Sequence, residues 1–140
     1  MAIDVSAAAL ILWALELLTL PISWVLALGI SAAVHEGSHL LVLCIFRIPV
    51  ISVTVGAFGA KIQTGYQENW QELFSALAGP IGSLMLLGAR SWFPQLALCG
   101  LVHGCFNLIP LPGFDGGRAI GSIWRIVRNG KENTLAKKRV

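Results

Sequence analysis

The sequence predicts an all-α polytopic membrane protein: about four transmembrane helices, with a short membrane-associated β-hairpin between the second and third. Two observations carry that expectation. Hydrophobic residues make up 56% of the 140 and charged residues 12%, about half the charged share of a soluble domain, and mean hydropathy is +0.75. Apolar runs approaching spanning length also recur from end to end, so the bilayer is the expected solvent.

Charge is unevenly placed. The formal net charge is +3, and Arg118, Arg125, Arg128, Lys131, Lys137, Lys138 and Arg139 all fall in the last quarter. In a soluble chain such a cluster would suggest nucleic acid. Behind a set of spans it marks the cytoplasmic end, and no nucleic-acid partner is expected. Cys44, Cys99 and Cys105 are odd in number and lack C-x-x-C spacing. They argue against a disulfide framework and read as small buried side chains. Met1-Ala2-Ile3-Asp4 lacks the basic region of a cleavable signal peptide.

The elements follow in order. Residues 5–20 form a first apolar segment, interrupted by Glu16, and Pro21 opens the next. Residues 22–46 form a second segment, long enough to cross the hydrocarbon, which Arg47 and Pro49 end. Val50 to Val55 is β-branched and reads as a strand; Ala60 to Thr64 is its return, with glycines between. Residues 73–89 form a third segment containing Ala78-Gly79-Pro80, where proline bends the helix and small residues permit close contact. Residues 95–111 form a fourth, with His103 and Asn107 inside it. Residues 113–117 make a turn, and 118–127 a basic amphipathic helix at the interface. The division expected is one membrane-embedded core, 1–128, and a basic polar cytoplasmic tail, 129–140. Trp70 and Trp92 suit interfaces.

Four spans put both termini on one side, and the basic tail makes that side cytoplasmic: an integral, multi-pass protein of a bacterial cytoplasmic membrane. The second span then exits at Arg47, roughly 12 Å of helix beyond His39. The fourth also ends on the cytoplasmic side and carries Asp115 towards the same depth.

Chemistry centres on His35-Glu36-Gly37-Ser38-His39, an H-E-x-x-H inside the second span. Histidines four apart share a helix face, which suits two imidazoles on one zinc ion, and Glu36 lies where it can take a proton from a metal-bound water. Burying ionisable groups in a span costs roughly 2.5 kcal/mol or more each, so three within five residues need a reason. The bland reading is a polar helix face lining a cavity. A third ligand is also needed, and Asp115 is the candidate. It lies in Asn107-Leu108-Ile109-Pro110-Leu111-Pro112-Gly113-Phe114-Asp115-Gly116-Gly117, where prolines end the helix and glycines permit a tight turn. Asp-Gly after proline is ordinarily only a turn; the histidine pair is what makes this aspartate a candidate.

H-E-x-x-H in one span with N-x-x-P-x-P-x-x-D-G-G at the end of a later one resembles the site-2 protease family of intramembrane zinc metalloproteases. The likeness runs over about residues 22–118 and is most similar to the bacterial sporulation-factor branch. It implies His35, His39 and Asp115 as ligands of one Zn2+ per chain and Glu36 as general base. Asn107 would position substrate or stabilise the oxyanion. The segment holding Val53, Val55, Gly56 and Phe58 would pair with an unwound substrate as an added strand. The implied activity is hydrolysis of a peptide bond within or near a transmembrane segment of a membrane-protein substrate, with the lipid bilayer as surroundings and room for a regulatory membrane protein. Two departures, Ser83 where the family often has asparagine and Gly113-Phe114 where it often has proline and leucine, are expected to leave the ligands untouched.

Two other readings compete. A non-catalytic membrane scaffold of the same fold would have lost a ligand or the base, and neither is missing. A divalent-metal transporter would use the same three residues for transit, but no internal repeat is evident and Glu36 has no role in it. His103, four residues before Asn107, reads as a packing residue or as support for a ligand, and Glu16 as a glutamate that is protonated or snorkels to the interface.

Overall fold

The computed structural model describes residues 2–56 and 59–137, with side chains through 130. Helix α2 (Ile22–Ile45) buries Ala27, Ser31, His35, His39 and Leu43, one stripe at intervals of four. Helix α3 (Asn69–Met85) buries Ser75, Ala76, Gly79, Pro80, Gly82 and Ser83, and continues as a 3₁₀ turn, Leu86–Ala89. Helix α4 (Pro94–Asn107) buries Ala97, Cys99, Gly100 and Gly104. Small residues on all three faces let the backbones approach closely, as helices do where lipid removes any hydrophobic drive between them. Helix α3 is the hub: it packs on α2, on α4 and on α5 (Asp115–Lys137). A capping box between Glu68 and Gln71 starts it.

The outside is the reverse of a soluble protein's. Serines and histidines are buried, while Leu18 is 85% and Met85 75% exposed. A surface of this kind is matched to lipid. Segments Ile22–Ile45 and Asn69–Ala89 are long and apolar enough to cross a membrane, and their apolar windows are only 22% and 39% buried, unlike the core helix of a soluble domain. Helix α1 (Ala7–Thr19) and α4 have 13 and 14 residues, about 20 Å each against a hydrocarbon core of about 30 Å. Helix length therefore supports a membrane protein with two clear spanning candidates. Cys44 and Cys105 lie on the exposed surface and only Cys99 is buried, a correction to the expectation for all three.

The hairpin expected after α2 is present: β2 (Val50–Gly56) pairs antiparallel with β3 (Gly59–Thr64). A third strand was not foreseen. β1 (Ala2–Val5) lies before α1 and pairs parallel with β2, Ala2 beside Ser52 through Val5 beside Val55. Ser6 extends this pairing, its N–H donating to the Val55 carbonyl at 2.9 Å, and its hydroxyl caps α1 at Ala9. The sheet order β1-β2-β3 puts β2 in the middle. The edge on which an added strand was expected is therefore already taken by β1. Phe58 lies outside the described residues. At the other end of the fold, α5 is one helix through Lys137, so residues 129–137 continue it.

Candidate metal centre

Helix α2 delivers His35 and His39 to one face, and the start of α5 delivers Asp115 to meet them. All three are buried, at 2%, 5% and 7% exposure. The Asp115 carboxylate Oδ2 lies 3.0 Å from His35 Nε2 and 3.1 Å from His39 Nε2, and the two Nε2 atoms are 3.3 Å apart. One ligand atom from each residue lies within 4.8 Å of the others. A tetrahedral ion with arms near 2.0–2.1 Å has edges of about 3.3 Å, so the spacing suits a small divalent cation.

The partners of the other ring nitrogens decide the chemistry. His39 Nδ1 is 2.6 Å from the Ser75 carbonyl. A carbonyl only accepts, so Nδ1 carries the proton and the neutral ring presents a bare Nε2. His35 Nδ1 is 2.9 Å from the Ser83 hydroxyl, which can accept in the same way. Asp115 turns its carboxylate oxygen Oδ2 towards both Nε2 atoms. The result is an anion and two lone pairs converging on one point, an arrangement that needs a cation at its centre. Arg118 Nη1 steadies the outer oxygen, Oδ1, at 3.3 Å.

Two glycine features make the approach possible. A Cβ on Gly79 would run into His39 Nε2 and His35 Nε2, so only glycine leaves room for both imidazoles. Cβ atoms on Gly116 and Gly117 would strike the carbonyls of Leu108 and Leu111. The Asp-Gly-Gly run thus lets the proline-rich loop fold tightly over the first turn of α5 and bring Asp115 inward. Positions 75, 79 and 83 of α3 form a single stripe, which orients His39, makes room for the rings and orients His35. Ser83 therefore touches a candidate ligand directly, correcting the expectation that this departure would leave the ligands alone. Ser75 acts through its backbone, which no side-chain pattern reveals.

Glu36 stands beside the trio, with Oε1 accepting the Ala60 N–H of β3 at 2.9 Å. It lines two cavities. The smaller, about 70 Å³, holds His35, His39, Asp115, Asn107, Gly113 and Arg118. The larger, about 720 Å³, runs between α1, α2, α4 and one face of the sheet, and Val53, Val55 and Gly56 line it. His103 is no closer partner than a stacked ring: its centroid lies 4.4 Å from that of His35, with planes 13° apart. Asn107 Nδ2 donates to the His103 carbonyl at 3.1 Å, and Asn107 lines both cavities.

Comparison with a solved structure bears on the fold. A site-2 protease from Methanocaldococcus jannaschii superposes with a TM-score of 0.72 at 22% identity, over 87% of this chain and 66% of that one. The chain has the site-2 protease fold. In sequence it is 33% identical, over 145 residues and 91% of its length, to a putative zinc metalloprotease of Synechocystis sp.. The chain spans 37% of the length of that relative. No family model matches it.

Proposed function

We propose that this chain is an intramembrane zinc metalloprotease, cutting a peptide bond within or near a transmembrane segment of a membrane-protein substrate. The observation that carries this reading is the convergence of His35, His39 and Asp115 on one point, with Glu36 beside them and opening onto a larger cavity. His35 Nε2, His39 Nε2 and Asp115 Oδ2 would hold the ion. Zinc bound there would supply a Lewis acid and make a water acidic enough to lose a proton near neutral pH.

The remaining steps belong to the protein. The Ala60 N–H engages Glu36 Oε1, which leaves Oε2 to take the water proton and later deliver it to the leaving amine. Asn107 spends one amide N–H on the His103 carbonyl and has a second for the oxyanion as it develops. Ser75 and Ser83 keep both imidazoles turned with Nε2 inward. The substrate lies against the side chains of Val53 and Val55; with β1 on the edge of β2, strand addition there would require β1 to move.

The wider placement belongs to the same proposal. Helices α1 to α4 are the four crossings, the shorter ones completed by flanking segments, with both termini cytoplasmic and α5 at that interface. Reconstituted into liposomes with a panel of single-span substrates, the parent is expected to cut at least one. Glu36→Gln should cut none, a loss of at least about 10³-fold, while keeping its metal. Full activity in Glu36→Gln would sink the mechanism. Metal retention without any cleavage by the parent would favour the scaffold.

A further inference from the structure

The larger cavity carries a feature the proposed chemistry does not use. Its walls are mostly apolar, with Leu12, Trp24, Val102 and Phe106 among them, and Glu36, His103 and Asn107 also line it. Glu16 of α1 also lines it, half-buried, and among the described residues its carboxyl group has no hydrogen-bond or ion-pair partner. No lysine or arginine lines the cavity, although two glutamates do. Glu36 is engaged by the Ala60 amide; Glu16 is the carboxyl left over. A polar group lodged against apolar walls is costly unless something pairs with it. About 720 Å³ is ample for a short stretch of peptide.

We infer that Glu16 is a specificity-determining residue. The cavity receives an apolar stretch of substrate carrying one basic side chain, and pairing of that side chain with Glu16 sets which peptide bond comes to rest beside Glu36. This rests on the proteolytic reading for what the bound peptide is there to do. The argument is charge complementarity within one cavity: an acidic, unpartnered group on α1 and the reacting groups Glu36 and Asn107 on α2 and α4. An apolar peptide satisfies the walls, and its lysine or arginine satisfies Glu16. The distance along the substrate between the basic residue and the cut bond is then fixed by the protein, as a ruler would fix it.

The test uses the 140-residue chain in detergent, zinc-loaded and carrying Glu36→Gln so that nothing is cut. The probes are dye-labelled leucine–alanine peptides with a single lysine, norleucine or glutamate at one position, read by fluorescence anisotropy. The lysine peptide is expected to bind about fivefold tighter than the norleucine peptide and the glutamate peptide more weakly than either, the size expected of one partly exposed ion pair. Adding Glu16→Gln should erase the preference, and Glu16→Lys should reverse it towards glutamate. The charge reversal keeps the result readable even if one variant folds poorly, because each protein is compared with itself across peptides. Equal binding of all three peptides to the Glu36→Gln protein would overturn the inference. So would a preference unchanged by Glu16→Lys, or displacement of the lysine peptide by zwitterionic lipid alone, which would make the cavity a lipid site. Cleavage is scored separately with Glu36 restored. A retained lysine preference in binding, with no peptide ever cut, would sink the protease reading and leave the recognition by Glu16 standing.

Discussion

Two cavities meet at Glu36, and they are built on opposite principles. The small one is bounded by close helix packing. Helix α3 presses on α2 through a stripe of serine and glycine, α5 is drawn in by Gly116 and Gly117, and the Nδ1 atoms of His35 and His39 each have a partner on α3. The large one is walled by big apolar side chains, with α1 touching the rest through few contacts and Glu16 left unpaired. The difference separates two tasks. Holding an ion needs atoms fixed to within a few tenths of an ångström, whereas admitting a peptide needs room and a wall that can give.

Breaking the tight side should cost most. Gly79→Leu would put a side chain where both imidazoles sit, so the expected result is loss of essentially all bound zinc and all cleavage. Circular dichroism checks that the helices persist. Near-normal zinc in this variant would mean that the rings do not occupy the places described. Ser83→Ala comes next. It leaves the His35 Nδ1–H buried without its acceptor, and zinc affinity should fall about 10- to 100-fold, measured by competition with a chelator. Ser83→Thr, which keeps the hydroxyl, should recover most of that loss. The loose side should respond differently. Leu12→Ala enlarges the large cavity from α1, which carries no candidate ligand, so zinc content should stay unchanged while substrate KM rises a few-fold. A drop in zinc there would erase the contrast between the two cavities.

Legibility in the sequence followed the same divide. His35, Glu36 and His39 were readable because one helix turn makes their spacing chemical, and Asp115 because that histidine pair calls for a third ligand and the proline-rich run marks a turn that could supply it. Those four do come together. The hairpin was readable from its β-branched run. What escaped was anything that depends on tertiary neighbours. Ala2–Val5 is too short to announce itself as a strand and becomes one only beside β2. Its presence moves β2 from edge to centre, which the residues of β2 could not foretell. The Ser75 carbonyl is backbone, and Ser83 acquires its role only because α3 lies against α2. Helix length singles out α2 and α3 as spanning candidates, whereas α1 and α4 are apolar but short, so the sequence alone does not show how they complete a crossing.

The central claim is that His35, His39 and Asp115 hold one zinc ion and that Glu36 does not. The direct measurement is metal content by mass spectrometry on the purified, detergent-solubilised chain, with His35→Ala, Asp115→Ala and Glu36→Gln alongside. About one zinc per chain in the parent and in Glu36→Gln, and essentially none in the other two, is the predicted result. Zinc that survives Asp115→Ala would contradict the ligand set; no zinc in the parent after reloading would contradict the metal centre itself.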